Sequence, residues 1–134
     1  MRRPAVPADL PALLLIRDGA GADALSDPAL ATDAALRRLV AAGAVAVWDE
    51  AGEVVGFAAA DAGTIHLLVD RSARGKGVGR ELLAAACAAL KEAGHAAASL
   101  TLTPGSIAVR HYRTAGWTVA EVAATGGLVL KKPL

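Results

Sequence analysis

The run Arg74-Gly75-Lys76-Gly77-Val78-Gly79-Arg80 constrains this chain more than any other stretch. Three glycines alternate with larger residues, and a basic residue stands at each end. An apolar run, Thr64 to Val69, comes before it, and an amphipathic helical pattern, Glu81 to Lys91, comes after. A Gly-rich turn between a strand and a helix N-terminus is a backbone cradle for phosphate. Its N–H groups point outward, and the helix dipole favours negative charge there. The plainer alternative is a helix-start turn whose basic side chains are merely solvated.

The rest of the pattern places this turn in a mixed α/β chain. Arg3 to Val6 reads as a short strand. Pro7-Ala8-Asp9 opens a helix carrying Leu10, Leu13 and Leu14, which stops at Asp18-Gly19-Ala20-Gly21. After a loop-like stretch, Ser26-Asp27-Pro28 starts a second helix with Leu30, Ala34, Leu36, Leu39 and Val40, closed by Gly43. Strands are expected over 44–48, 54–59 and 64–69 with short turns between them, an antiparallel meander. Beyond the glycines, Leu82, Leu83, Ala86, Cys87 and Leu90 line one side of a helix. A strand follows over 98–103, parallel to 64–69 because a helix connects them. A short helix, 107–115, and a hairpin of 117–122 with 128–131 complete the order β-α-α-β-β-β-α-β-α-β-β. The sheet is mostly antiparallel with one parallel pair. No repeat or linker interrupts it, so residues 1–134 are read as one domain.

Composition removes several functions. Net charge is +1 and aromatics are 3%, which gives neither an electrostatic search for nucleic acid nor a stacking surface. The single cysteine, Cys87, allows no intramolecular disulfide, and no ligand cluster suggests a metal. No apolar run is long enough for a signal peptide or membrane span, so no membrane role and a cytoplasmic location are expected. The abundance of alanine suggests GC-rich bacterial coding.

Spacing then narrows the glycine turn. A P-loop needs Lys-Ser/Thr after its last glycine, but Arg80-Glu81-Leu82 follows Gly79. A Gly-x-Gly-x-x-Gly fingerprint started at Gly75 ends on Arg80, and started at Gly77 it ends on Leu82. What remains is Arg74-x-x-Gly77-x-Gly79 with Leu67-x-Val69 just upstream. This resembles the acyl-CoA-binding motif of the GNAT superfamily of N-acetyltransferases. Ala108-x-x-His111-Tyr112-x-x-x-Gly116-Trp117 is similar to a second motif of that family, and the element order agrees along nearly the whole chain.

The resemblance implies a GNAT-like fold whose parallel strands 64–69 and 98–103 splay apart to admit the pantetheine arm of acetyl-CoA. It implies cofactor contacts at Leu67, Val69 and the turn Arg74, Gly75, Lys76, Gly77, Val78, Gly79 and Arg80. The Val69 N–H would polarise the thioester carbonyl. Tyr112, the only tyrosine, matches the family's general acid near the sulfur. No carboxylate stands on either splayed strand; Leu100 occupies a position where some relatives carry one. His66, whose residue type titrates near neutrality, is one candidate base. Water relaying a proton through Asp61 or His66 is another, and an ordinary packing role for His66 is a third. His111 is read as structural. Gly105 replaces an Asn that commonly binds pantetheine, with Thr103 or Ser106 as substitutes.

The reaction implied is direct transfer of an acetyl group to a primary amine in a ternary complex. Cys87 is read as a packing residue too distant in the chain pattern from Tyr112 to form an acyl-enzyme. The missing carboxylate leaves a catalytically inactive CoA-binding sensor as the alternative. The acceptor, a small molecule or peptide, should meet residues 17–33, the turn at Asp61 and the 122–128 hairpin. Asp18, Asp23, Asp27, Asp33, Asp61 and Glu121 there suggest a cationic amine. Homodimers are common among such relatives.

Overall fold

The computed structural model describes residues 1–20, 32–105, 107–124 and 126–134. Its elements are β1 (Arg2–Pro4), a 3-10 turn (Pro7–Asp9), α1 (Leu10–Ala20), α2 (Asp33–Ala41), β2 (Val45–Glu50), β3 (Glu53–Asp61) and β4 (Thr64–Val69). A second 3-10 turn (Arg71–Ala73) leads to α3 (Val78–Glu92), β5 (Ala97–Leu102), α4 (Ile107–Thr114), β6 (Thr118–Val122) and β7 (Leu128–Pro133). The strands form one sheet in the order β1-β2-β3-β4-β5-β7-β6, and only β4 and β5 are parallel. The mixed α/β class and the single parallel pair are thus as the sequence implied.

Strand alternation assigns the two faces of the sheet. Phe57, Ala59 and Leu68 turn toward α1 and α2 and join Leu13, Leu36 and Leu39 in one buried cluster. Ile65, Ala98, Leu100 and Leu130 turn the other way, onto Leu82, Ala86 and Leu90 of α3. Successive side chains of a strand point to opposite faces, so both clusters follow from one period-two pattern. On α3 the buried residues Val78, Leu82, Ala86 and Leu90 recur every fourth position, a stripe that meets the sheet.

The hairpin before β4 sets its register. Asp61 pairs with Thr64 across a two-residue turn in which Ala62 has φ 51° and Gly63 φ 83°. Such a turn matches the right-handed twist of the strands and needs left-handed backbone at both centres. Gly63 meets that need freely, and Ala62 is held there by the pairing on either side.

Several element ends differ from the sequence reading. α1 runs on through Asp18-Gly19-Ala20. α2 starts at Asp33 because the Thr32 hydroxyl accepts from Ala35 N at 3.1 Å, a side-chain cap. The expected start signal at Ser26-Asp27-Pro28 lies outside the described residues. α3 begins at Val78 rather than Glu81 because Gly77, at φ 82°, makes the turn by itself as N-cap. Three of the seven residues of the glycine run, Val78 to Arg80, are therefore helix.

Candidate functional site

Backbone directions on β4 define the site. Asp70 N bonds to Val55 O of β3 at 2.8 Å, whereas Ser99 N of β5 bonds to Gly63 O at 2.9 Å. N–H and C=O groups of alternate residues leave a strand on alternate edges. Even-numbered positions of β4 thus serve β3, while Ile65, Leu67 and Val69 aim their backbone groups toward β5. Among the described residues the β4–β5 ladder holds one register pair, Thr64 with Ser99. Beyond it the strands part, and the backbone groups of Leu67 and Val69 face a gap. The Thr64 and Ser99 hydroxyls lie 3.2 Å apart at the closed end.

The glycine turn sits at the open end. β4 ends at Val69, and Asp70 caps the following 3-10 turn. Its carboxylate accepts from Ser72 N at 3.1 Å and from the Ser72 hydroxyl. These bonds hold the Asp70 carboxyl below the usual carboxylate range. Arg74 then leads into Gly75 and Gly77, both left-handed at φ 80° and 82°. A Cβ at either would meet nothing within 4 Å, so their surfaces are open. Gly77 offers no side-chain cap to α3, and the first intrahelical bond is Glu81 N to Gly77 O at 3.0 Å. The N–H groups of Val78, Gly79 and Arg80 thus head a helix without a capping side chain, an arrangement suited to a phosphate. Arg74, Lys76 and Arg80 are exposed around it. A diphosphate with an extended amide-bearing tail fits this donor set. The turn offers N–H groups and cations, and β4 offers alternating donors and acceptors.

The two candidate proton carriers lie on opposite sides of the sheet. Tyr112 of α4 joins the cluster that contains Leu67 and Val69. Its ring meets Trp117 edge-on, centroids 5.7 Å apart. Burial, with a smaller contribution from Cys87, pushes the phenol up to about 12. His66 is 6% exposed and, by alternation, shares the face of Leu68 with α1 and α2.

Three sequence expectations change. Cys87 lies within electrostatic reach of Tyr112, so distance in the chain does not argue against an acyl-cysteine. Burial does, because it raises the thiol pKa and leaves little thiolate at neutrality. His111 is exposed rather than packed. Asp18 and Asp33 do not wait for a cationic ligand. Arg17 binds them at 2.9 and 2.7 Å and ties α1 to α2. Asp23, Asp27 and Ser106 lie outside the described residues. Asp61 and Glu121 are exposed.

Two features escaped the sequence reading. One is the Asp70-x-Ser72 cap that shapes the turn. The other is a cavity of about 350 Å³ beside the end of β4, where Ile16, Gly19 and Ala20 of α1 face Val69, Asp70 and Arg74. Asp70 before a Ser two positions on was a readable turn signal. The cavity depends on how α1 meets the strand end and had none.

A family model described as acetyltransferase (GNAT) domain matches residues 18–126. No curated protein matches the sequence. Among solved structures, ribosomal-protein-alanine N-acetyltransferase from Brucella melitensis is 25% identical, with TM-score 0.81 over 100% of this chain and 99% of that one. A GCN5-related N-acetyltransferase from Kribbella flavida is 27% identical, with TM-score 0.76 over 100% and 97%. PaiA N-acetyltransferase from Thermoplasma acidophilum, solved in complex with coenzyme A, shares the fold at 15% identity and TM-score 0.80, over 100% and 98%.

Proposed function

This chain belongs to the GNAT acetyltransferase family, and from that premise we propose that it transfers an acetyl group from acetyl-CoA to a primary amine by direct attack in a ternary complex. The observation that carries the reading is the β4–β5 ladder, which opens after one pair directly beside an uncapped helix N-terminus. The coenzyme A complex of the Thermoplasma relative supports it.

Bound acetyl-CoA supplies an activated thioester. The N–H groups from Gly75 to Arg80 hold the pyrophosphate, with Arg74, Lys76 and Arg80 adding charge. Leu67 and Val69 pair with the pantetheine arm through the gap, and the Val69 N–H polarises the thioester carbonyl. The acceptor nitrogen attacks the carbonyl carbon, a C–N bond forms, and the C–S bond breaks. His66, on the α1 face, or water beside it takes the proton from the amine. Tyr112, on the other face, serves the departing sulfur. Its hydroxyl lies well above the roughly 8.5 of an ordinary thiol. It therefore gives the sulfur a hydrogen bond more readily than its proton, and the thiolate takes its proton from water.

The acceptor is proposed to be the amine of a small molecule or peptide. Its walls come from the cavity beside α1, the turn at Asp61 and the 122–128 hairpin. Purified protein incubated with acetyl-CoA and a panel of amines and peptides, followed for free thiol, tests the reading. Amine-dependent thiol release is expected; CoA binding without turnover on any acceptor would overturn catalysis. No observation favours the inactive sensor.

A further inference from the structure

Arg74 makes a contact that a phosphate grip does not require. Its Nε donates to the Val69 carbonyl oxygen at 3.2 Å. That carbonyl belongs to the odd-numbered positions of β4. Gly63, of the same set, is bonded by Ser99 N from across the gap, while Asp70, of the other set, bonds back to β3. The guanidinium therefore reaches back from the phosphate turn and occupies an acceptor at the mouth of the gap. The short path between the two residues permits this. β4 ends at Val69, the Asp70-capped 3-10 turn reverses the chain, and Arg74 emerges beside the strand end.

We infer that Arg74 determines donor specificity, making the gap selective for a diphosphate-bearing acyl carrier over a phosphate-free pantetheine thioester. The inference rests on the CoA reading above. An amide-bearing arm that pairs along β4 needs the Val69 carbonyl as an acceptor, and Arg74 holds it. The guanidinium has to leave before the arm can bond there. With a diphosphate at the turn, the released cation gains charge-assisted bonds to phosphate oxygens only a few ångströms from where it started. With pantetheine alone it returns to water, and the arm's bond to Val69 only replaces the protein hydrogen bond it displaces, with no net gain. Discrimination then comes from a penalty on the wrong carrier as well as attraction for the right one.

Equilibrium binding of pantetheine and of CoA, followed by amide NMR shifts, tests this on the wild-type chain, Arg74→Met and Arg74→Lys. Methionine keeps the stem and removes every donor. Its variant should bind pantetheine about three- to tenfold more tightly and CoA about tenfold more weakly. Lysine keeps the charge at the turn and lacks the Nε donor. Its variant should gain for pantetheine similarly while losing less for CoA, and it carries the test if the methionine variant does not fold. Pantetheine affinity that stays level or falls in the variants, with CoA still bound by the wild type, overturns the inference and leaves the CoA site standing. A wild-type chain that binds neither carrier rejects the CoA reading, and the inference with it.

Discussion

Tyr112 can be titrated alone, because it is the chain's single tyrosine. Tyrosinate absorbance in the near ultraviolet therefore reports one group, without overlap from the Cys87 thiolate. The ring packs edge-on against Trp117 in the cluster on the α3 face, and burial there leaves a charge poorly solvated. Its pKa rises from 10.0 to about 12. At about 1.4 kcal/mol per pH unit, that corresponds to about 3 kcal/mol between the folded and unfolded ionisations. The sign is fixed. Below pH 10 both states keep the proton, and stability is whole. Between about 10 and 12 the unfolded chain releases it while the folded chain retains it, so stability falls as pH rises. Absorbance titration of the folded protein should show its midpoint near 12. Urea unfolding across the same window should lose about 3 kcal/mol in the wild type and markedly less in Tyr112→Phe. A midpoint near 10 with the fold intact, or equal slopes in both proteins, would refute the argument from burial. The same reasoning bears on catalysis. Tyr112→Phe should lower turnover about tenfold to a hundredfold, the loss of one hydrogen bond to a charged sulfur, without moving the alkaline limb of the rate profile, since the hydroxyl is not ionised there. A limb that vanishes in the variant would show that Tyr112 titrates within the working range.

Two further outcomes follow from the same geometry. Gly77→Ala should cost about 1–2 kcal/mol through the left-handed backbone alone, because its Cβ enters open space. Gly77→Glu carries the same strain and adds a carboxylate at the helix start. The glutamate variant should therefore melt no lower than the alanine variant, while calorimetry should show CoA binding lost only in the glutamate variant; equal binding in both would move the phosphate site elsewhere. Asp9 receives Arg3 Nη1 and Nη2 at 2.8 and 2.9 Å and Val6 N at 2.8 Å, with Arg3 the main cause of its lowered pKa. This pairing stabilises the fold above the ordinary carboxylate range and is lost as pH falls below it. Unfolding free energy should fall less steeply with acid in Arg3→Met than in the wild type. Parallel acid limbs would mean that the pair contributes nothing to the acid sensitivity.

Legibility in the sequence followed the range of the interaction. β4 was readable to the residue, Thr64–Val69, because its apolar run lies between the Asp61-Ala62-Gly63 turn and the glycine-rich stretch. The close of α2 was readable at Gly43, which has the left-handed φ of 71° that a helix end needs. The start of α3 was misplaced because glycines are ordinarily discounted inside helices, yet Gly77 starts the helix and Gly79 lies in its first turn. Contacts between distant segments were not readable. Nothing local says that Cys87 and Tyr112 pack against one core cluster, or that Arg17 pairs with both Asp18 and Asp33. The opening of β4 from β5 also had no local signature. It was expected from the family resemblance, and it goes with the hold of β7 on β5 through the six paired positions from Ala97 to Leu102.

The division of labour across the sheet follows from that opening. A strand fully paired on both edges seals one face from the other, and a base on the α1 face could not serve chemistry beside α3. β4 is sealed along β3 by six pairs but joined to β5 by one. Its free edge is therefore the place where both faces meet, and it is an edge of backbone amides rather than of side chains. This accounts for the modest residue requirements of the site. In the proposed mechanism polarisation and alignment would come from Leu67 and Val69 through main-chain groups, while their side chains pack against the core cluster of Leu82. It also explains how a chain with no carboxylate on β4 or β5 can keep the reaction geometry. The component that sequence variation cannot easily remove, the unpaired edge, is set by register. In the proposed mechanism the proton acceptor would lie on the other face, where His66 is buried beside Leu68.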